Sequence, residues 1–223
     1  MLAVYTFVFS VVFNARWAGT GSSSRAEYAI FMFVGLIVHG IFAECVNRAP
    51  GLILGNANYV KKVVFPVEIL PIVSMGGALF HSMASIVVLL IGQLVFGLYP
   101  TWYIIFLPLV LLPLVMFTLG ISWFLSSIGV FVRDIGQIIT LATSVMLFLS
   151  PVFYPLSAVS GHQRALLYAN PLTYVIEQAR GVLLLGQAPD WWVLLIEIVL
   201  GGLVATAGWW WFAKTRKGFA DVI

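Results

Sequence analysis

Between Glu68 and Arg133 the chain carries no Asp, Glu, Lys or Arg. A charge-free stretch of that length accommodates two membrane-crossing helices of about 20 residues each. Its clearest interruption is Tyr99-Pro100-Thr101-Trp102, where Pro breaks a helix and Tyr and Trp suit a membrane–water interface. Composition agrees: 62% of residues are hydrophobic and 9% charged, against about 25% charged in an average soluble domain. Helices this apolar need lipid as part of their solvent. The net charge of +3 is small and dispersed, which argues against a nucleic-acid partner. The single cysteine, Cys45, sits in an apolar stretch and reads as a small core residue. One cysteine permits neither an internal disulfide nor a cysteine-based metal site.

Hydropathy predicts an all-α membrane protein of about six transmembrane helices, one domain over residues 1–223. The first apolar run, Leu2 to Phe13, is too short for a full span and lacks the basic start and cleavage site of a signal peptide. A Gly/Ser-rich linker, Asn14 to Glu27, follows it. Spans are expected over Tyr28–Val46, from Pro66 to near Gly97, over Trp102–Phe131, Ile135–Tyr154 and Trp191–Phe212. The last is bracketed by Trp191-Trp192 and Trp209-Trp210-Trp211. Its outermost tryptophans are about 30 Å apart along a helix, the thickness of the hydrocarbon core. Two segments are too polar to cross, Asn47–Phe65 and Leu156–Asp190. The second contains short amphipathic stretches near Gln163–Tyr168 and Leu172–Leu185.

Charge orients the spans. Arg48, Lys61, Lys62, Arg133, Lys214, Arg216 and Lys217 fall on one side, and Arg16, Arg25, Arg164 and Arg180 on the other. The larger set is expected to be cytoplasmic, which places both chain ends there. Gly201 and Gly202 allow a close helix approach, either within the chain or against a second copy.

No phosphate-binding GxxxxGK[ST] loop is present: GLILGNAN, Gly51 to Asn58, lacks the lysine. No catalytic residue, bound cofactor or metal site is expected. His39, His81 and His162 are far apart and read as hydrogen-bonded helix residues rather than ligands. The eight acids are scattered with no i,i+3 or i,i+4 pair, unlike the clustered carboxylates of a membrane-embedded lipid-headgroup transferase. Glu44 and Glu197 are the only acids that ion coupling could use, and both read as isolated or near a helix end, so a secondary transporter is disfavoured.

Three segments carry a family resemblance. They are NANYVKKVVFPVEILP (Asn56–Pro71), SPVFYP (Ser150–Pro155) with NPLTYVIEQARGVLLLG (Asn170–Gly186), and FAKTRKGFADVI at the end. In this order, with the six-span layout, they resemble the permease of ABC transporters that export lipid-linked polysaccharides such as O antigen, capsule or teichoic acid. The resemblance covers nearly the whole chain. It implies a permease homodimer in the bacterial inner membrane and two separate ABC ATPase subunits, which hold the ATP and Mg. It implies membrane lipid and a lipid-linked glycan as the other partners.

It also implies roles. A coupling helix at about Arg48–Val60 would meet the ATPase, with Arg48, Leu52, Asn56, Asn58, Tyr59, Lys61 and Lys62 as its residues. Lys61 and Lys62 equally suit lipid headgroups and topology. An outer gate of two short re-entrant helices would involve Pro151, Tyr154, Pro155, Pro171, Tyr174, Glu177 and Arg180. Irregular backbone at that depth requires cover by protein or a water-filled cavity. Glu177 and Arg180, at i,i+3, form either a surface ion pair or a device that holds the gate helix or touches sugar hydroxyls. Tyr5, Phe9, Phe13, Phe148 and Phe153 are candidates to line a polymer path, or else face lipid or core. Such permeases begin with a cytoplasmic amphipathic helix. Here Met1 falls where span one should be under way, so a shortened start is expected. A permease of the same fold that exports a lipid or drug is the alternative cargo reading.

Overall fold

A computed structural model describes residues 25–58, 66–132, 134–159, 161, 164 and 167–219. The expected first span lies outside them. The described residues form helices and turns with no strand. The helices are α1 (Arg25–Arg48), α2 (Ile69–Val95), α3 (Leu107–Phe131), α4 (Ile135–Leu149), α5 (Pro171–Arg180) and α6 (Trp191–Thr215). Four stretches among the described residues are long and apolar enough to cross a membrane: Glu27–Gly51, Ile69–Val95, Trp102–Phe131 and Trp191–Gly218. They match four of the expected spans. The fifth differs. Its helix stops at Leu149, five residues before the expected end at Tyr154, because Pro151 lacks the N–H that another turn would use.

Contacts group the chain into two units. The first comprises Met1–His39, Ser82–Leu111 and Met146–Trp191. Within it, an aromatic group joins the start of α6 to the turn before α3: Phe106 lies 5.5 Å from Trp191 edge-on and 5.9 Å from Trp102. After α5 the chain widens into a π-helical turn, Gly181–Leu185, which ends at Gly186 with φ of 62°. Glycine is required there twice over. The left-handed backbone disfavours a side chain, and a Cβ would lie 2.9 Å from Thr101 Cγ2.

The second unit comprises Gly40–His81, Leu112–Val145 and Trp192–Ile223. Here α3 and α6 meet backbone to backbone. A Cβ on Gly208 would overlap the main chain of Gly120, one on Gly120 would overlap Val204, and one on Gly201 would lie 2.8 Å from Pro113 O. Gly201 therefore serves packing within the chain, the first of its two expected uses. Dispersion and close approach drive helix association where lipid is as apolar as the side chains. Hydroxyls add cross-links: Ser127 Oγ lies 2.7 Å from Thr215 Oγ1, and Thr143 Oγ1 donates to Asn47 Oδ1 at 3.0 Å.

Gly208→Val should force α3 and α6 apart and lower stability by about 1–3 kcal/mol, as overpacking does. Thermal unfolding in detergent would show a lower midpoint. Gly202→Ala is the control. Its Cβ would meet only the flexible Met116 Cε, at 3.2 Å, and its midpoint should stay near that of the parent.

Candidate functional site

Two groups of side chains organise the segments that do not span. The first surrounds the chain just after α1. The resemblance implies a coupling helix at about Arg48–Val60. Over its described part the structure has two 3-10 turns, Ala49–Gly51 and Leu54–Asn56, followed by helical residues 57 and 58, and the remainder of the expected helix lies outside the described residues. Pro50 removes a backbone donor, and Gly51 and Gly55 weaken helix, so the α-helix ends at Arg48. The turns are nevertheless fixed. Leu52 N–H donates to Ala49 O, Asn56 N–H donates to Ile53 O, and Asn56 Nδ2 donates to Leu52 O at 2.8 Å. Pro50 O sits against Gly129, where any Cβ would overlap it.

Ile53 anchors this segment. It is fully buried in a cluster with Val67, Trp123, Val130, Phe212 and Phe219. Phe219 lies 5.4 Å from Phe212 and 6.1 Å from Phe131. Polar links reinforce the cluster: Trp123 Nε1 donates to Glu68 O at 3.0 Å, and Arg216 pairs with the Glu68 carboxylate. The start of α2 is set by Pro66, whose carbonyl accepts from Ile69 N–H at 3.0 Å. Of the expected coupling residues, Arg48 is exposed and pairs with Glu44 at 3.0 Å, Leu52 and Asn56 are half-buried, and Asn58 is exposed. Tyr59, Lys61 and Lys62 lie outside the described residues.

The second group holds the chain between α4 and α6. Arg180, at the end of α5, is 1% exposed and makes three bonds. Nε donates to Phe31 O at 3.1 Å, Nη2 to Val152 O at 3.0 Å, and Nη1 to Glu177 Oε1 at 2.8 Å. The Glu177–Arg180 pair is thus not a surface pair. It ties α5 to α1 and to the turn at Val152. Gly35 makes room: a Cβ there would lie 3.0 Å from Val152 Cα and 3.2 Å from Arg180 Nη2. Tyr28 OH donates to Phe153 O at 2.8 Å, so α1 supplies a second bond to the same turn.

Asn170 caps α5 by accepting from Leu172 N–H at 3.0 Å, with Pro171 at the first turn. Its Nδ2 donates to Ser150 Oγ at 2.9 Å. Pro151 is buried in the turn, and Pro155 precedes a 3-10 turn, Leu156–Ala158. Tyr154 OH donates to Phe148 O at 3.1 Å, and Tyr174 stacks with Tyr168 at 5.3 Å. Of the expected gate residues, Glu177 and Arg180 pair directly and Arg180 reaches the turn that holds Pro151, while Tyr154 and Tyr174 make contacts of their own with Phe148 and Tyr168. Of the candidate path aromatics, Phe148 is 57% exposed while Phe153 is buried, and Tyr5, Phe9 and Phe13 lie outside the described residues.

Sequence reasoning passed over Ile53, Asn170 and Gln93. Gln93 Nε2 donates to Leu183 O at 3.0 Å and supports the π turn. Its signal was the one amide side chain in the charge-free run. Glu44, expected near a helix end or alone, lies one turn from the end of α1 and bonds both Arg48 and His81.

The model of the ABC-2 type transporter family matches residues 1–184. The chain belongs to the ABC-2 type transporter family. It is 27% identical over its whole length to the O-antigen export system permease protein RfbA of Myxococcus xanthus, spanning 83% of that protein. To an RfbA of Klebsiella pneumoniae it is 23% identical over 99% of its length and 82% of the relative's. To the daunorubicin resistance permease DrrB1 of Streptomyces coeruleorubidus it is 26% identical over 92% of its length and 74% of the relative's. As an ABC-2 membrane protein the chain is a multi-pass transport subunit, and its family works with an ABC ATPase.

Arg180→Ala should leave two main-chain carbonyls without their donors, at about 1–3 kcal/mol each. Faster proteolysis within residues 150–190 would report it. Arg180→Lys should be intermediate, because one ammonium cannot reproduce the planar fork. Glu177→Gln keeps an acceptor for Nη1 but removes the counter-charge of a buried cation, so it should destabilise measurably, though less than Arg180→Ala. At the first group, Phe219→Ala should loosen the Ile53 cluster by about 3–5 kcal/mol. Amide hydrogen exchange at Leu52 and Asn56 should then accelerate.

Proposed function

We propose that this chain is the permease of an ABC exporter that moves a lipid-linked polysaccharide across the bacterial inner membrane. What supports the cargo is the match to O-antigen export permeases across 99–100% of the chain. In this reading the permease is a homodimer, with both chain ends and the 48–58 turns on the cytoplasmic side. Two ATPase subunits bind ATP and Mg and press on those turns. Because Ile53 is packed with Val67, Val130, Phe212 and Phe219, a push on the turns moves the ends of α2, α3 and α6 with them instead of bending a loose loop. The 150–185 segment is the outer gate, and Arg180 is the residue that keeps it shut or lets it move as a body.

A drug or lipid cargo is the second reading, favoured by the likeness to DrrB1. Purification of the tagged chain with its cognate ATPase, followed by an assay of ATP hydrolysis, tests the assembly. Export of surface glycan in a strain lacking its own permease tests the cargo. Co-purified ATPase activity with restored glycan export is expected. Activity without glycan export, together with resistance to a drug, would transfer the cargo assignment to the second reading. Failure to recruit the ATPase at all would overturn the exporter assembly.

A further inference from the structure

α3 and α6 run parallel in one register: Gly201 meets Pro113, Gly208 meets Gly120 and Thr215 meets Ser127, each pair 88 residues apart. At Gly120 and Gly208 neither helix has a side chain, so the backbones touch and the residues beside them stand above the contact. They leave a trough of about 390 Å³ along the seam, walled by Ile121, Phe124, Val204, Ala207, Trp210 and Trp211. No ionisable side chain lines it. The walls face outward, with Phe124 41% and Trp210 58% exposed. Both helices belong to stretches long and apolar enough to cross a membrane, so the trough opens towards lipid or another apolar surface.

Lys214 stands one turn beyond Trp210, in the last turn of α6, and its Nζ lies 5.1 Å from the centre of the Trp210 ring. A lysine over an aromatic face still has N–H donors that point away from the ring. Lys217 is exposed on the 3-10 turn that follows, Arg216–Gly218, and adds a second positive charge at this end. Arg216 is already paired with Glu68. An apolar trough that ends in cations complements a molecule with an apolar chain and an anionic head. A second copy of the chain fits poorly. A closed dimer uses the same patch twice, so with spans running the same way Lys214 would face Lys214 at one end of the contact.

From the trough and the cation at its end, we infer that the α3–α6 seam binds an anionic phospholipid of the bilayer, with an acyl chain over Gly120 and Gly208 and the phosphate at Lys214. The chain covers with methylenes the part of the seam that has no side chains of its own. The inference goes beyond the exporter reading and does not rest on it, since neither cargo nor ATPase takes part.

Native mass spectrometry of the purified full chain tests it, with titration in detergent by phosphatidylglycerol or by zwitterionic phosphatidylcholine of equal chain length. The two lipids share their chains and differ in net charge, and each spectrum also shows the oligomeric state. For the first lipid bound, the parent should favour phosphatidylglycerol at least about fivefold, as one lysine near an anionic headgroup gives. Lys214→Gln should lower that preference about fivefold and leave phosphatidylcholine binding unchanged. Ala207→Phe fills the trough from an exposed position outside the Gly120–Gly208 contact. It should weaken both lipids at least about tenfold, because the acyl chain loses its apolar cover. Lys214 is exposed, so its variant decides the matter even if Ala207→Phe fails to fold. Equal binding of the two lipids by the parent would overturn the inference, as would an unchanged preference in Lys214→Gln. Loss of dimer mass in Ala207→Phe with lipid binding intact would overturn it too, and would make the trough a contact between copies.

Discussion

A polypeptide that leaves its helix where water is excluded must bring its own hydrogen-bond partners. In this chain that requirement converges on Arg180. Its guanidinium has five donors in a rigid plane and stays charged. Two of its bonds go to carbonyls of other segments, Phe31 and Val152, and the third to Glu177 on its own helix. A cation with 1% exposure is tolerable because each of its three nitrogens finds an oxygen, one of them a carboxylate. The turn after α4, the start of α5 and the π turn after it all depend on this point. Asn170, Tyr28 and Gln93 complete the satisfaction of the nearby backbone.

The turns after α1 are held by a different force. Their polar bonds are local, from Asn56 and two main-chain amides, and would not by themselves fix their position. The full burial of Ile53 does, contributing about 2 kcal/mol by itself. It shares its cluster with Phe212 and Phe219, which come from the far end of the sequence. The Glu68–Arg216 pair and the Trp123 bond to Glu68 sit in the same unit. A short stretch of 3-10 turns thereby gains the stiffness that a longer helix would have had from its own hydrogen bonds.

Much of the fold was legible from charge and hydropathy. The charge-free run announced α2 and α3, and the bracketing tryptophans gave α6 nearly to the residue. The proline pair around Tyr154 marked the irregular segment, and the Glu177–Arg180 spacing allowed a pair without deciding whether it lay at the surface or held that segment. The errors have physical causes. The resemblance implied a helix at about Arg48–Val60; its first part is two 3-10 turns, because Pro50 and two glycines disfavour an α-helix there. The Glu44–His81 contact was not legible because the two residues are 37 apart, on different helices.

By itself, the sequence determined that this protein lives in a membrane as a set of helices, because a helix satisfies its backbone locally and a span needs only length and apolarity. Only the tertiary structure decided which helices are covered. Four spans pass the same hydropathy test, yet 67% of the α1 window is buried against 17% of the α6 window. Hydropathy separates lipid and protein interior from water, and it cannot separate lipid from protein interior, since both are apolar. Backbone approach at Gly120 and Gly208, and the three directions of one guanidinium, depend on distances between residues far apart in the chain.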